Sequence, residues 1–99
     1  MKTLFLLRHG RAEELHDLMT DMERPLTAQG REQIRTLAGK LKSQEPTIDL
    51  VITSPALRAR QTAEMVCSVL AIPESRIKVE KALYGSSVNK VLLLLQKLP

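Results

Sequence analysis

Ninety-nine residues, with 43% apolar and 26% charged side chains, leave room for one small domain and exclude a multidomain chain. The balance of 15 Lys+Arg against 11 Asp+Glu mildly favours an anionic partner, while a single Phe and a single Tyr exclude a base-stacking platform for single-stranded nucleic acid. One cysteine, Cys67, excludes an internal disulfide and a multi-cysteine metal centre, and fits a reducing cytoplasm.

In chain order, Thr3 to Leu7 predicts a short buried strand, followed by Gly10. The apolar run Leu4 to Leu7 is too short for a signal-peptide core, so a cytoplasmic protein with no membrane partner is expected. Arg11 to Pro25 is polar and without clean periodicity; it predicts a long loop with a helical turn around Glu13 to Met19. Thr27 is placed as an N-cap, and Ile34, Leu37, Ala38 and Leu41 then form one stripe of an amphipathic helix. Pro46 ends that helix.

Ile48 to Thr53 predicts a second strand, apolar enough to be buried on both faces, as strands of parallel sheets are. Ser54-Pro55 predicts the next helix start, serine at the N-cap and proline at the first helical position. Ala63, Val66, Cys67 and Leu70 give that helix its stripe. Arg76 to Val79 predicts a third, short strand, and Gly85-Ser86-Ser87 a turn. Val88, Val91, Leu92 and Leu95 then fit a last helix, with Leu93 and Leu94 apolar but off its stripe; Val91 to Leu95 is too short to span a bilayer. A helix apolar on most sides needs covering, so the expectation is a domain cut short at its C-terminus.

Strand and helix alternate throughout, which predicts an α/β fold with a mainly parallel sheet flanked by helices. Ligands of such sheets bind beyond the carboxyl ends of the strands. Two polar clusters stand there, Arg8-His9-Gly10 and Ser54 to Arg58, and parallel strands would bring both to one edge. A guanidinium is a planar fork of donors matched to phosphate oxygens, and a helix N-terminus adds backbone N–H groups. A neutral imidazole between Arg8 and Arg58 could attack phosphorus in line, provided an acceptor on its other nitrogen fixes the tautomer. Gly10 would let the backbone approach the phosphate. Arginines would supply the positive charge, so no metal or other cofactor is expected. The same residues also fit plainer roles: a strand-end histidine, a surface arginine and a helix start.

The motifs together resemble a known family. Leu6-Leu7-Arg8-His9-Gly10 resembles the defining motif of the histidine phosphatase superfamily, with its phosphoglycerate mutase-like three-layer sandwich. Arg24-Pro25-Leu26-Thr27-Ala28-Gln29-Gly30 resembles its second conserved segment, and Ser54 to Ala63 its second arginine motif. Leu83-Tyr84-Gly85 resembles the turn before its next helix. The compact layout is most similar to the short phosphohistidine phosphatases of the SixA type.

The resemblance implies residues 1–99 are the N-terminal and central portion of one such domain. It implies His9 as nucleophile, Arg8 and Arg58 as phosphate clamps, and Gly10, Arg24 and Ser54 around the phosphate, with Arg24 equally suited to a structural role. It implies a phosphorylated substrate, a phosphohistidine protein first. A non-catalytic or degenerate phosphate-binding domain, a small-molecule phosphomonoesterase and a mutase-like activity stand as alternatives. The family's second histidine, in a Gly-His segment, has no counterpart; His16 sits in the early loop. Glu80 is the nearest match to a general acid, one residue out of register, while Glu13, Glu14 and Asp17 are loop charges. Nucleic acid is not an expected partner, and the oligomeric state stays open.

Overall fold

The structure, a computed structural model, describes residues 2–15, 18–84 and 90–96. Among them the order is β1 (Lys2–Arg8), α1 (Ala28–Lys42), β2 (Ile48–Thr53), α2 (Leu57–Leu70), β3 (Ile77–Val79) and β4 (Lys90–Gln96). Short 3-10 turns stand at Asp21–Glu23, Glu74–Arg76 and Lys81–Leu83.

The helix starts follow from the chemistry of their first turns. The Thr27 hydroxyl accepts from the Gly30 N–H at 2.9 Å and supplies the partner that the first turn of α1 lacks. Lys40 and Lys42 lie in the last turn, where cations suit the negative end of the helix dipole. Ile34 and Ala38 are buried as the stripe requires, but Leu37 is 43% exposed and lies at the margin. The second helix begins later than expected. Ser54 caps the Ala56 N–H at 3.1 Å, so Ser54-Pro55 forms a turn before the helix, and the N-cap itself is Ala56. Ala63, Val66 and Cys67 are fully buried along its inner face.

The sheet order is β1-β4-β2-β3. β3 pairs with β2 in parallel, whereas β4 runs antiparallel to both β1 and β2. β1 and β2 therefore point the same way, as the α/β expectation requires. Val91 of β4 faces Leu7 on one side and Thr53 on the other. This register sets the carboxyl ends of β1 and β2 at one edge.

β4 corrects the expected last helix. A run of consecutive apolar residues satisfies a helical stripe and a doubly buried strand equally well. Here Val91 to Leu95 takes the strand solution, hydrogen-bonded to a neighbour on each side. Apolar residues at successive positions suit a central strand, which has a neighbour on each side and two faces to cover. Leu93 and Leu94, the off-stripe residues, carried that signal. Val88 and the Gly85-Ser86-Ser87 turn lie outside the described residues.

The early loop is also corrected. The Glu13 N–H donates to the Pro25 carbonyl at 2.8 Å, and Ala12 bridges Leu26 in antiparallel fashion. That extended pairing is incompatible with a helical turn opening at Glu13. The turn forms instead at Asp21–Glu23, where the Glu23 carboxylate accepts from both the N–H and the hydroxyl of Thr20 at 2.8 Å. His16 and Asp17 lie outside the described residues.

One core joins the layers: Ile34 and Ala38 from α1, Ala63, Val66 and Cys67 from α2, and Ile48, Val51 and Val91 from the sheet. Both helices thus pack on the sheet face that carries Val51. The opposite face presents Leu6, 54% exposed. Burial pushes the Cys67 thiol up to about 11, with Glu74 and Glu64 adding to the shift, so Cys67 acts as a small core residue rather than a nucleophile. Among the described residues no helix is long and apolar enough to cross a membrane.

Candidate active site

His9 follows β1 directly and is half-buried. Its Nδ1 lies 2.7 Å from the Gly10 carbonyl oxygen. A carbonyl only accepts, so in the neutral ring the proton sits on Nδ1 and the lone pair on Nε2. The acceptor that a nucleophilic histidine needs is therefore built into the next peptide.

Gly10 is buried against α1. A Cβ there would come to 2.6 Å of the Gly30 carbonyl oxygen and 3.0 Å of Ile34. The reverse holds too, since a Cβ on Gly30 would collide with the Arg11 carbonyl and come to 2.7 Å of its nitrogen. The two glycines mark one crossing, where the chain leaving β1 passes directly over the first turn of α1. Thr27 clamps that crossing, its N–H donating to the Arg11 carbonyl at 2.8 Å. Close packing against α1 thus accounts for a glycine at position 10.

The first half of α2 ties the other segments together. Gln61 accepts from the Leu26 N–H at 2.8 Å. Thr62, fully buried, accepts from the Gly10 N–H at 3.4 Å and donates to the Arg58 carbonyl at 2.8 Å. Two segments 52 positions apart in sequence therefore meet, and the peptide after His9 touches the helix that carries Arg58 one turn earlier.

Arg58 is only 5% exposed. A buried guanidinium needs partners, and it finds them in the Asp21 turn. Its Nη1 donates to the Asp21 backbone carbonyl at 2.8 Å and its Nη2 to Asp21 Oδ2 at 3.1 Å. The Tyr84 hydroxyl donates to the same Oδ2 at 2.8 Å, and Arg24 Nη1 to Oδ1 at 2.8 Å. Arg24 Nε also holds the Glu13 carbonyl at 2.7 Å. The Arg24 bond, helped by those from Tyr84 and Arg58, holds the Asp21 carboxyl down to about 2. Tyr84 is shifted the other way, because its hydrogen bond to Asp21 holds the phenol proton and ionising would set a phenolate beside that carboxylate.

The other expected residues sit at the same edge. Ser54 is fully buried in the turn after β2. Glu80 is half-buried just beyond β3, its N–H donating to the Thr53 carbonyl at 2.8 Å. Arg8 ends β1, opposite Lys90 in the β1–β4 register. Arg24 stitches the loop through Glu13 and Asp21.

With this geometry in place, the match to known proteins is decisive. The Histidine phosphatase superfamily (branch 1) matches over residues 4–84. The chain belongs to the histidine phosphatase superfamily. It is 43% identical over 72 residues to the phosphohistidine phosphatase SixA of Escherichia coli (strain K12), covering 73% of this chain and 44% of that protein. It is 34% identical over 97 residues to a 2,3-bisphosphoglycerate-dependent phosphoglycerate mutase of Bartonella bacilliformis, covering 90% of this chain and 47% of that protein. The chain spans about half the length of the curated relatives it matches.

Among solved structures, the protein histidine phosphatase SixA complexed with tungstate superposes with a TM-score of 0.71 at 40% identity, over 84% of this chain and 51% of that one. The ecdysone phosphate phosphatase of Bombix mori, also with tungstate, gives a TM-score of 0.67 at 23% identity, over 82% of this chain and 44% of that one, a likeness of fold alone.

Within this member of the superfamily, the three motifs make one mechanical unit. The Arg-His-Gly segment rests on α1 through the Gly10–Gly30 crossing, and the second arginine motif reaches both other motifs through Gln61 and Thr62. Sequence reasoning missed Asp21, Tyr84, Gln61 and Thr62. The pattern Thr20-x-x-Glu23, a turn-start signature, could have located the Asp21 turn. Asp21 and Arg24 at i, i+3 on that turn were a further sign.

Proposed function

We propose that this chain carries the nucleophile of a phosphatase that transfers a phosphoryl group to His9 Nε2 and then to water, taking it from phosphohistidine in a protein. The observation that carries the reading is the His9 Nδ1 bond to the Gly10 carbonyl at 2.7 Å, which leaves the lone pair on Nε2. Arg8 and Arg58 serve as the phosphate clamps. Gly10, Arg24 and Ser54 border the anion in this reading, and Glu80 is the candidate general acid. In the first step the P–N bond to the substrate imidazole breaks as the bond to Nε2 forms, and the leaving nitrogen takes a proton from Glu80 or from solvent water. In the second, water attacks phosphorus, orthophosphate leaves and Nε2 regains its lone pair. No cofactor enters this scheme. The likeness to SixA supports phosphohistidine as substrate. A cytoplasmic location, and a chain forming the N-terminal and central portion of the domain, belong to the same reading.

Incubation with a protein carrying radiolabelled phosphohistidine tests it. The expected result is a transient acid-labile label on His9 with release of orthophosphate, both lost in His9→Ala. An unlabelled His9 under these conditions would reject the transfer.

A second reading, a phosphate-binding module without turnover, is favoured by one observation: Asp21, the carboxyl bonded to Arg58, is held ionised and has no proton to give a leaving group. Orthophosphate binding without hydrolysis of any phosphoester or phosphohistidine is its signature.

A further inference from the structure

Asp21 is a carboxylate at the centre of a polar cluster that no motif announces. It draws Arg24 onto one oxygen, and Arg58 and Tyr84 onto the other. Its side chain is 41% exposed, while that of Arg58 is 6% exposed, so the guanidinium is the buried partner and the carboxylate the one open to solvent. Two attachments from one residue, a backbone carbonyl and a carboxylate oxygen, fix the plane of the Arg58 guanidinium as well as its position. They use two of the five N–H groups that an arginine offers, which leaves three for an oxyanion.

We propose that Asp21 is a positioning residue of the phosphate site: anchored by Arg24 and Tyr84, it holds the buried Arg58 guanidinium in one orientation for the anion. The proposal deepens the phosphatase reading and rests on Arg58 being an anion clamp. Asp21 itself touches no substrate. It carries its charge throughout the neutral range, since its carboxyl is held at about 2. A neutral residue in its place would leave Arg58 one charged partner short and held there by the backbone carbonyl of residue 21, and orientation loosened at a clamp is affinity lost for the anion.

A carboxylate beside an arginine can also play the opposite role: a built-in competitor that fills the place of the phosphate. The two differ in sign. Orthophosphate binding to the full chain, followed by calorimetry, separates them. Under positioning, Asp21→Asn weakens orthophosphate binding about tenfold, the equivalent of one well-made charged contact. Tyr84→Phe, which removes one anchor without altering charge, weakens it by about two- to threefold. Tighter binding in Asp21→Asn, unchanged binding in both variants, or no orthophosphate binding by the unaltered chain would each overturn the proposal.

Ultraviolet titration of Tyr84 gives an independent view of the cluster. Its phenol should titrate lower in Asp21→Asn than in the unaltered chain, and an unchanged titration would also count against Asp21 as the hub. The labelling of His9 keeps this apart from the reaction. A chain that binds orthophosphate in an Asp21-dependent way yet never labels His9 retains the positioning role and loses the transfer. A chain that labels His9 while Asp21→Asn binds orthophosphate normally retains the transfer and loses the positioning role.

Discussion

Two contacts hold the site edge, one built from backbone and the other from charge. At the first, Gly10 and Gly30 bring the segment after β1 against α1 so closely that neither position has room for a Cβ. At the second, Asp21 gathers Arg24, Arg58 and Tyr84 through side-chain atoms, half open to solvent. The first sets where His9 stands, and the second sets where the Arg58 guanidinium stands. A backbone crossing has a single geometry and cannot yield. A charge cluster can be tuned one donor at a time and can accept a new partner. The two groups that would share one phosphate are thus held by unlike means.

The largest expected effect breaks the backbone contact. Alanine in a helix normally outperforms glycine, so Gly30→Ala on α1 should stabilise on propensity alone. The added Cβ instead meets backbone atoms of Arg11, which cannot swing away as a flexible side chain would. Overpacking against backbone costs about 3 kcal/mol, well above the propensity gain. Urea denaturation should show a large fall in midpoint. A neutral result would mean that the crossing is looser than the structure describes.

These contacts also show which parts of the molecule were legible in the sequence. Thr27 as cap, the Ile48 to Thr53 strand and the shared edge of the two clusters all depend on local patterns, and the structure has them. Arg58 near the Gly10 segment followed from strand direction alone. The last element was misassigned because five consecutive apolar residues carry no period, and only the pairing with β1 and β2 decides between helix and strand. The Asp21 cluster was invisible for a different reason. Its members come from positions 21, 24, 58 and 84; the Asp21–Arg24 pair is local, but nothing near it requires Arg58 or Tyr84. The turn that displays Asp21 was misplaced as well, since the Glu13–Pro25 pairing that fixes it is tertiary.

The next effect acts on the charge contact, and it is asymmetric. Asp21→Ala strands the buried guanidinium of Arg58, though the backbone carbonyl of residue 21 still accepts from Nη1. The loss should be about 2 kcal/mol, below the usual range for a fully orphaned buried charge. Arg58→Met keeps similar volume and leaves Asp21, with its 41% exposed side chain, able to hydrate. That change should cost less than about 1 kcal/mol. Equal losses in the two variants would contradict the buried-inside, charged-outside arrangement. Acid sharpens the test. The Asp21 carboxyl is lowered from 3.8 to about 2, so its contribution to stability is complete above about pH 4 and disappears as pH falls towards 2. Asp21→Asn should remove that part of the acid sensitivity and flatten the stability curve over this window.

The smallest effect is a control on the first, with the opposite sign. Gly39 lies on the same helix as Gly30, but a Cβ there would meet nothing within 4 Å. Only propensity then operates. Glycine in a helix interior costs about 0.5–1 kcal/mol relative to alanine, through the backbone freedom lost on folding. Gly39→Ala should therefore raise stability by about that amount, with orthophosphate binding unchanged because position 39 lies far along α1 from the crossing. One substitution made twice on one helix, nine positions apart, separates what the helix prefers from what the site edge demands. A loss at Gly39 would mean that this face of α1 is packed against something, and that the contrast between the two glycines is not one of contact.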